Sequence, residues 1–401
     1  MKHGRQIALT LALTGTFAFA GGESDVSYGH QGRAIVDEHF PTYVTAAEEG
    51  HGVQIGSTVC NNTDPHCSVH LYRLNESGIL VKDFGVNGHA VIPLDGKQWP
   101  KAVGPRADVF KIVPEAGGMR LLLADRDTYY AFAVEVGYWG HAVPGAVNIG
   151  GNVSDTLFRE DGTFFTAYAQ NAGTYILAKQ KNGDTLDLFG SGGTALIPAS
   201  DIAARSANLS KGKDGKIRVS AWGQQKNGSA ALKLSQLDRY GNLDLAFGSF
   251  GSVEYSFDPL ERDLSAVADS QGRTYVYTGN FPCRSEQDFR IWRLDARGDI
   301  DTTFGDRGFV WLANVIGKKE YVALPLTVDT QGRLLVRTIL ENETTNTILR
   351  FSEKGELDST FAKQGRLTVS GSIQKVLIEN SGKYLVVGQT ETTLWTDRFL
   401  P

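Results

Sequence analysis

Ile300-Asp301-Thr302-Thr303-Phe304-Gly305-Asp306-Arg307-Gly308 is the stretch that decides how this chain folds, because it is one copy of a phrase that returns. An aromatic followed by glycine, inside a short polar turn, stands at Tyr28-Gly29, Phe84-Gly85, Trp139-Gly140, Phe189-Gly190, Phe247-Gly248 and Phe304-Gly305, and as Phe361-Ala362. Successive aromatics are 50 to 58 residues apart. A period of that length marks a protein assembled from repeated supersecondary units.

The unit from 304 to 361 shows what is repeated. After the turn, residues 309–313, 321–328, 333–339 and 347–351 read as strands, with a tight hairpin at Asp329-Thr330-Gln331-Gly332. Four strands and a return make one propeller blade, so seven copies predict an all-β, seven-bladed β-propeller of four-stranded antiparallel blades. Each blade is expected to be contiguous in sequence, with the ring closed by Leu394–Phe399 docking beside the N-terminal segment. The 46 glycines, 21% charged residues and lack of helical apolar spacing agree with short strands and tight turns.

One large apolar group per repeat, always at the same register, is what packed neighbouring sheets require, so the seven aromatics read as scaffold. Asp25, Asp244, Asp301 and Asp358 each stand three residues before an aromatic, and Asp83 and Asp187 slip from that spacing. Aspartate in a glycine-rich turn serves to accept backbone N–H groups. The phrase Ile300-Asp301-Thr302-Thr303-Phe304-Gly305-Asp306-Arg307-Gly308, with Asp214-Gly215-Lys216 before a strand and Arg293-Leu294-Asp295-Ala296-Arg297-Gly298 after one, resembles the delta-60 repeat family of bacterial β-propeller proteins. The resemblance extends over residues 23–401, closely in repeats five to seven and poorly in repeat three. It implies a propeller in an extracytoplasmic setting and no catalytic motif.

Lys2, His3 and Arg5, an apolar run over residues 7–19 and Ala18-Phe19-Ala20 read as a cleaved signal peptide over residues 1–20, leaving 21–401 as a single propeller domain. The run is too short to span a bilayer, and no other stretch is long enough. Loss of Lys2 and Arg5 leaves 38 basic against 45 acidic residues. That balance gives no footprint for nucleic acid or an anionic membrane. Cys60 and Cys67 bracket a short loop, and in an oxidising compartment this spacing favours a bridge over two free thiols. Cys283 is left over.

All eight histidines fall within residues 1–141. His30 and His141 follow an aromatic-glycine pair, His89 follows the corresponding turn of the second repeat, and His51 follows another turn of the first. These turns open on one propeller face, so His30, His51, His89 and His141 are candidate rim residues. Solvated positions at different radii are the competing reading. His66 and His70 lie near the Cys60–Cys67 loop and are expected on the opposite face. Asp125-Arg126-Asp127 is a compact charge group, readable as a binding loop or a solvated hairpin. No nucleophile elbow, P-loop, Cys-x-x-Cys or histidine metal motif occurs, so neither a catalytic set nor a cofactor or metal is predicted. The expected function is a periplasmic or secreted monomer that binds a protein or cell-surface polysaccharide. The alternatives are a hydrolase or lyase with histidine at the axial funnel, and an inhibitor or immunity-type protein for an exported enzyme.

Overall fold

The computed structural model describes residues 22–37, 43–49, 52–60, 66–95, 104–170, 172–200, 202–257, 263–279, 289–316, 320–340 and 345–401. Residues 1–20, His51 and Cys283 lie outside them. Seven four-stranded antiparallel sheets form the blades of a β-propeller. Helix is confined, among the described residues, to single turns at Lys213–Gly215 and Leu312–Asn314.

Blade one runs Tyr43–Glu49, Gly52–Cys60, Cys67–Leu74 and His89–Pro93, from the axis outward. Blade two is Ala107–Glu115, Gly118–Asp125, Tyr130–Gly137 and Ala142–Gly151. Blades three to six follow in the same manner and end on Thr194–Pro198, Ser252–Ser256, Phe309–Trp311 and Arg366–Ser370. The first strands of neighbouring blades touch, as Tyr43–Glu49 touches both Ala107–Glu115 and Ser372–Ile378, which places them around the axis. Second strands such as Thr274–Gly279 are buried on both faces, while outer strands such as His89–Pro93 alternate between core and solvent.

Two expectations about chain order are corrected. The strand after each aromatic turn is not the first strand of a new blade. It folds back onto the strand before the turn, as Phe309 pairs with Trp292, and so forms the outer edge of the preceding blade. Nor is every blade contiguous. Blade seven takes Ser372–Ile378, Tyr384–Gln389 and Leu394–Phe399 from the end of the chain and Arg33–Asp37 from its beginning. Arg33 lies opposite Asp397, and the two side chains form a paired contact at 2.6 Å. The terminal segments thus dock side by side, and the sheet edge each would expose is consumed by the other.

Six of the repeated aromatics, Tyr28, Phe84, Phe189, Phe247, Phe304 and Phe361, are at most 3% exposed and pack between adjacent blades. A guanidinium lies over the ring in several copies: Arg293 over Phe304 at 4.7 Å, Arg350 over Phe361 at 4.5 Å and Arg398 over Tyr28 at 4.5 Å. Each of these arginines is also paired at 2.8 Å with the aspartate three residues before its aromatic, namely Asp301, Asp358 and Asp25. The same carboxylates accept the backbone N–H of Thr303, Thr360 and Ser27. The aspartate therefore does more than shape a turn. It neutralises a buried cation that in turn lies against the core ring.

Burial opposes ionisation of Asp25, Asp301 and Asp358, but hydrogen bonds outweigh it and hold all three below the usual carboxylate range. These bonds come from Lys383 and Ser27, from Thr303 and from Thr360, and the Arg398, Arg293 and Arg350 charges add to them. A carboxyl more acidic in the folded than in the unfolded chain contributes stability above its unfolded pKa, about 3.9, and that stability is lost as pH falls below it. The melting temperature is thus expected to hold down to about pH 5 and to fall steeply below about pH 4. In an Asp301→Asn, Asp358→Asn chain the acid slope should be shallower. An unchanged slope in a scan of melting temperature against pH would refute the link.

Candidate functional site

The chain departs from its own pattern in blade two. In blades one, three, four, five and six the third and outer strands are joined by equally long connections carrying the aromatic phrase: Leu74 to His89, Lys179 to Thr194, Leu237 to Ser252, Leu294 to Phe309 and Phe351 to Arg366. In blade two the outer strand resumes at Ala142, directly after Gly137 and a four-residue link. The phrase is missing there, and Trp139-Gly140 is not its third copy.

Hydrogen bonds and close contacts identify what Trp139-Gly140 is instead. The Gly140 N–H bonds to the Gly137 carbonyl, as Gly78 bonds to Asn75 and Gly241 to Asp238 where those chains leave their third strands. The Trp139 carbonyl accepts the Gly85 N–H at 2.8 Å, the part that Tyr240 plays for Gly190 and Lys354 for Gly305. A Cβ on Gly140 would press on Phe84, as one on Gly241 would on Phe189 and one on Gly355 on Phe304. Trp139-Gly140 is therefore the strand-exit turn of blade two. The position a phenyl ring would fill between blades two and three is taken by Val147, which a Cβ on Gly183 would meet at 2.7 Å. Phe158 and Phe164, stacked at 5.3 Å, supply the remaining apolar bulk at that interface.

Released from the core, Trp139 is 55% exposed and Tyr138 43%. The two rings meet edge to face at 4.9 Å, and the Arg73 guanidinium of blade one lies 4.2 Å from the Tyr138 centroid. The short link thus leaves an exposed Trp-Tyr pair beside Arg73 of the neighbouring blade.

The other predicted residues separate. His30 and His141 are exposed, and because Trp139 is not a copy of the phrase their positions are not equivalent. His89, at the start of the outer strand of blade one, turns onto the sheet, stacked on Tyr72 at 4.5 Å with its Nε2 3.0 Å from His70 Nδ1. His70 and His89 thus lie together, correcting the expectation that they occupy opposite faces. The antiparallel register explains this: Tyr72 is opposite His89 and His70 opposite Val91, so all three side chains share one face. That face meets blade seven, where the Tyr72 hydroxyl donates to the Asp37 carboxylate. Burial, then the neighbouring Asp37 carboxylate, push the Tyr72 phenol far up, so it stays a donor. One donor atom from each of Asp37, His70 and His89 lies within 4.8 Å of the others.

Asp125-Arg126-Asp127 closes a hairpin: Asp125 accepts the Asp127 and Thr128 N–H groups, and Arg126 makes a two-pronged contact with Asp108 at 2.5 and 2.7 Å. Cys60 and Cys67 form a disulfide between directly opposed residues of blade one. Around the axis, Lys111 bonds Asp155 at 3.2 Å, and burial, then the Lys111 charge, push the nearby Lys375 ammonium down. Among the described residues no inner strand carries a histidine.

Residues 274–304, from the second strand of blade five to its aromatic turn, match a family described as a beta-propeller domain of unknown function, DUF5122. No curated protein matches the sequence. Among solved structures, prolyl oligopeptidase B from Galerina marginata aligns with 88% of this chain and 49% of its own at 10% identity and a TM-score of 0.50. The Pyrococcus horikoshii acylaminoacyl peptidase aligns over 89% of this chain and 51% of its own at 10% identity and a TM-score of 0.48. A Lactobacillus plantarum protein aligns over 89% of both chains at 12% identity and a TM-score of 0.44. The chain spans about half the length of the two peptidases, and identities this low speak to fold alone.

Proposed function

We propose that this chain is an extracytoplasmic binding propeller of the delta-60 repeat type, a monomer of one domain over residues 21–401 exported by a leader at 1–20, whose recognition surface is the exposed Tyr138–Trp139–Arg73 cluster at blade two. The observation that carries the reading is the release of Trp139 from the scaffold. Six repeat aromatics are buried between blades, whereas Trp139 and Tyr138 stand open to solvent beside Arg73. Trp, Tyr and Arg dominate the energetics of protein interfaces, and a rigid sheet that holds them in place lowers the entropic cost of docking. The Cys60–Cys67 bridge fits an oxidising compartment. No helix of the described residues is long and apolar enough to cross a membrane.

The partner is a protein, and a cell-surface polysaccharide stacking on the same rings is the alternative outcome of one experiment. The full chain and its Tyr138→Ala, Trp139→Ala variant are titrated against the envelope protein captured by the native chain, and against purified envelope polysaccharide. The variant is expected to bind about 30-fold more weakly, the loss that follows from removing a central anchor of about 2 kcal/mol. Unaltered affinity for both would overturn the assignment of the aromatic cluster.

A further inference from the structure

We infer that Asp37, His70 and His89 bind a divalent transition-metal ion, with zinc the best fit, across the seam where the propeller closes. Three features support this. The first is the donor set. Two imidazoles and a carboxylate, each offering an atom within 4.8 Å of the other two, are the ligand types of three-residue zinc sites. His89 Nε2 and His70 Nδ1 are 3.0 Å apart, close to the edge of about 3.3 Å of a tetrahedron built on zinc–nitrogen bonds of about 2.0–2.1 Å. A metal entering there replaces the single proton that these nitrogens share.

The second feature is support behind each ligand. His70 Nε2 lies 2.9 Å from Ser68 Oγ, so with Nε2–H donating to the hydroxyl, Nδ1 presents its lone pair to the metal. His89 is held by stacking on Tyr72, with the ring planes inclined by only 14°. The Tyr72 hydroxyl donates to the Asp37 carboxylate and fixes its orientation. Outer partners of this kind are the usual accompaniment of metal-binding imidazoles and carboxylates. The third feature is position. All three ligands are partly buried, so an ion can reach them from solvent. Asp37 ends the strand contributed by the beginning of the chain to blade seven, while His70 and His89 belong to blade one. An ion bound there would tie the closing strand to the blade beside it.

The site is independent of the aromatic cluster on blade two, so each can fail without the other. The full chain, freed of metal by chelation, is dialysed against zinc alone and analysed for bound metal, and its melting temperature is followed with and without zinc. One equivalent is expected, with a melting temperature that rises with zinc and falls back on chelation. Cobalt in place of zinc should give the visible bands of a low-coordinate nitrogen and oxygen site. Tyr72→Phe should weaken binding about 10- to 100-fold, the usual effect of removing an outer partner. His70→Gln, His89→Gln should abolish it, and His30→Ala, His141→Ala should leave it intact. Less than one equivalent on the native chain, or equal binding by the His70→Gln, His89→Gln chain, would overturn the inference. The cobalt spectrum of the native chain settles the matter if the double variant does not fold: bands support the site and their absence removes it.

Discussion

A chain ending at Thr393 is expected not to reach a folded state. The missing residues 394–401 contain the third strand of blade seven, which lies between Tyr384–Gln389 and Arg33–Asp37. Its loss removes Leu394, Trp395 and Phe399, each at most 6% exposed, and the Arg398 that pairs with Asp25 over the Tyr28 ring. Burying a large apolar side chain is worth about 1.5–3 kcal/mol, so three of them already approach a typical total stability of about 5–15 kcal/mol. The truncation also frees two sheet edges at once, that of Tyr384–Gln389 and that of Arg33–Asp37, and exposed edges invite pairing between molecules. The expected result is aggregation on expression and no cooperative transition by calorimetry or circular dichroism. Removing residues 22–37 should produce the same failure from the other side. A soluble monomer melting like the intact chain would refute this account of closure.

Phe304→Ala and Trp139→Ala should differ by several kcal/mol although both truncate an aromatic beside glycine. Phe304 is 0% exposed, meets Tyr275 edge to face at 5.7 Å and lies beneath Arg293, itself 3% exposed. Deleting its ring opens a cavity between blades five and six, at a cost of about 3–5 kcal/mol. The Trp139 ring is 55% exposed, and the bond its residue makes to blade one comes from the backbone carbonyl, which alanine keeps, so its loss should change stability by no more than about 0.5 kcal/mol. Midpoints of urea unfolding for the two variants decide this. Equal destabilisation would mean that Trp139 is scaffold after all and would remove the basis for a binding surface there.

The repeat was legible because its glycines, aspartates and aromatics serve local turn geometry, which a sequence displays directly. Strand content and hairpins followed from the same signals. The phase of the blades was not legible: a period is unchanged when the frame slides by one strand, and only pairing such as Phe309 with Trp292 shows which strand lies outermost. The identity of Trp139-Gly140 could have been found. Glycine follows four residues after the aromatic at Gly32, Gly88, Gly193, Gly251, Gly308 and Gly365, whereas Val143 stands at that offset from Trp139. The grouping of His70 and His89 with Asp37 could not, because it depends on a strand register within blade one and on a strand that blade one does not contain.

The pairing of Arg33–Asp37 with Leu394–Phe399 also sets when folding can finish. Arg33 and Asp397 are 364 residues apart in sequence yet share two hydrogen bonds. Of the described strands, the first to leave the ribosome must wait for the last. Contacts this distant along the chain are costly to form and slow to reach. The waiting strand keeps its hydrogen-bonding groups open throughout synthesis, the period when a growing chain is most exposed to a helper or a neighbour. Once closed, the ring must break this same long-range contact before any blade can peel away, so the slowness of assembly is returned as persistence.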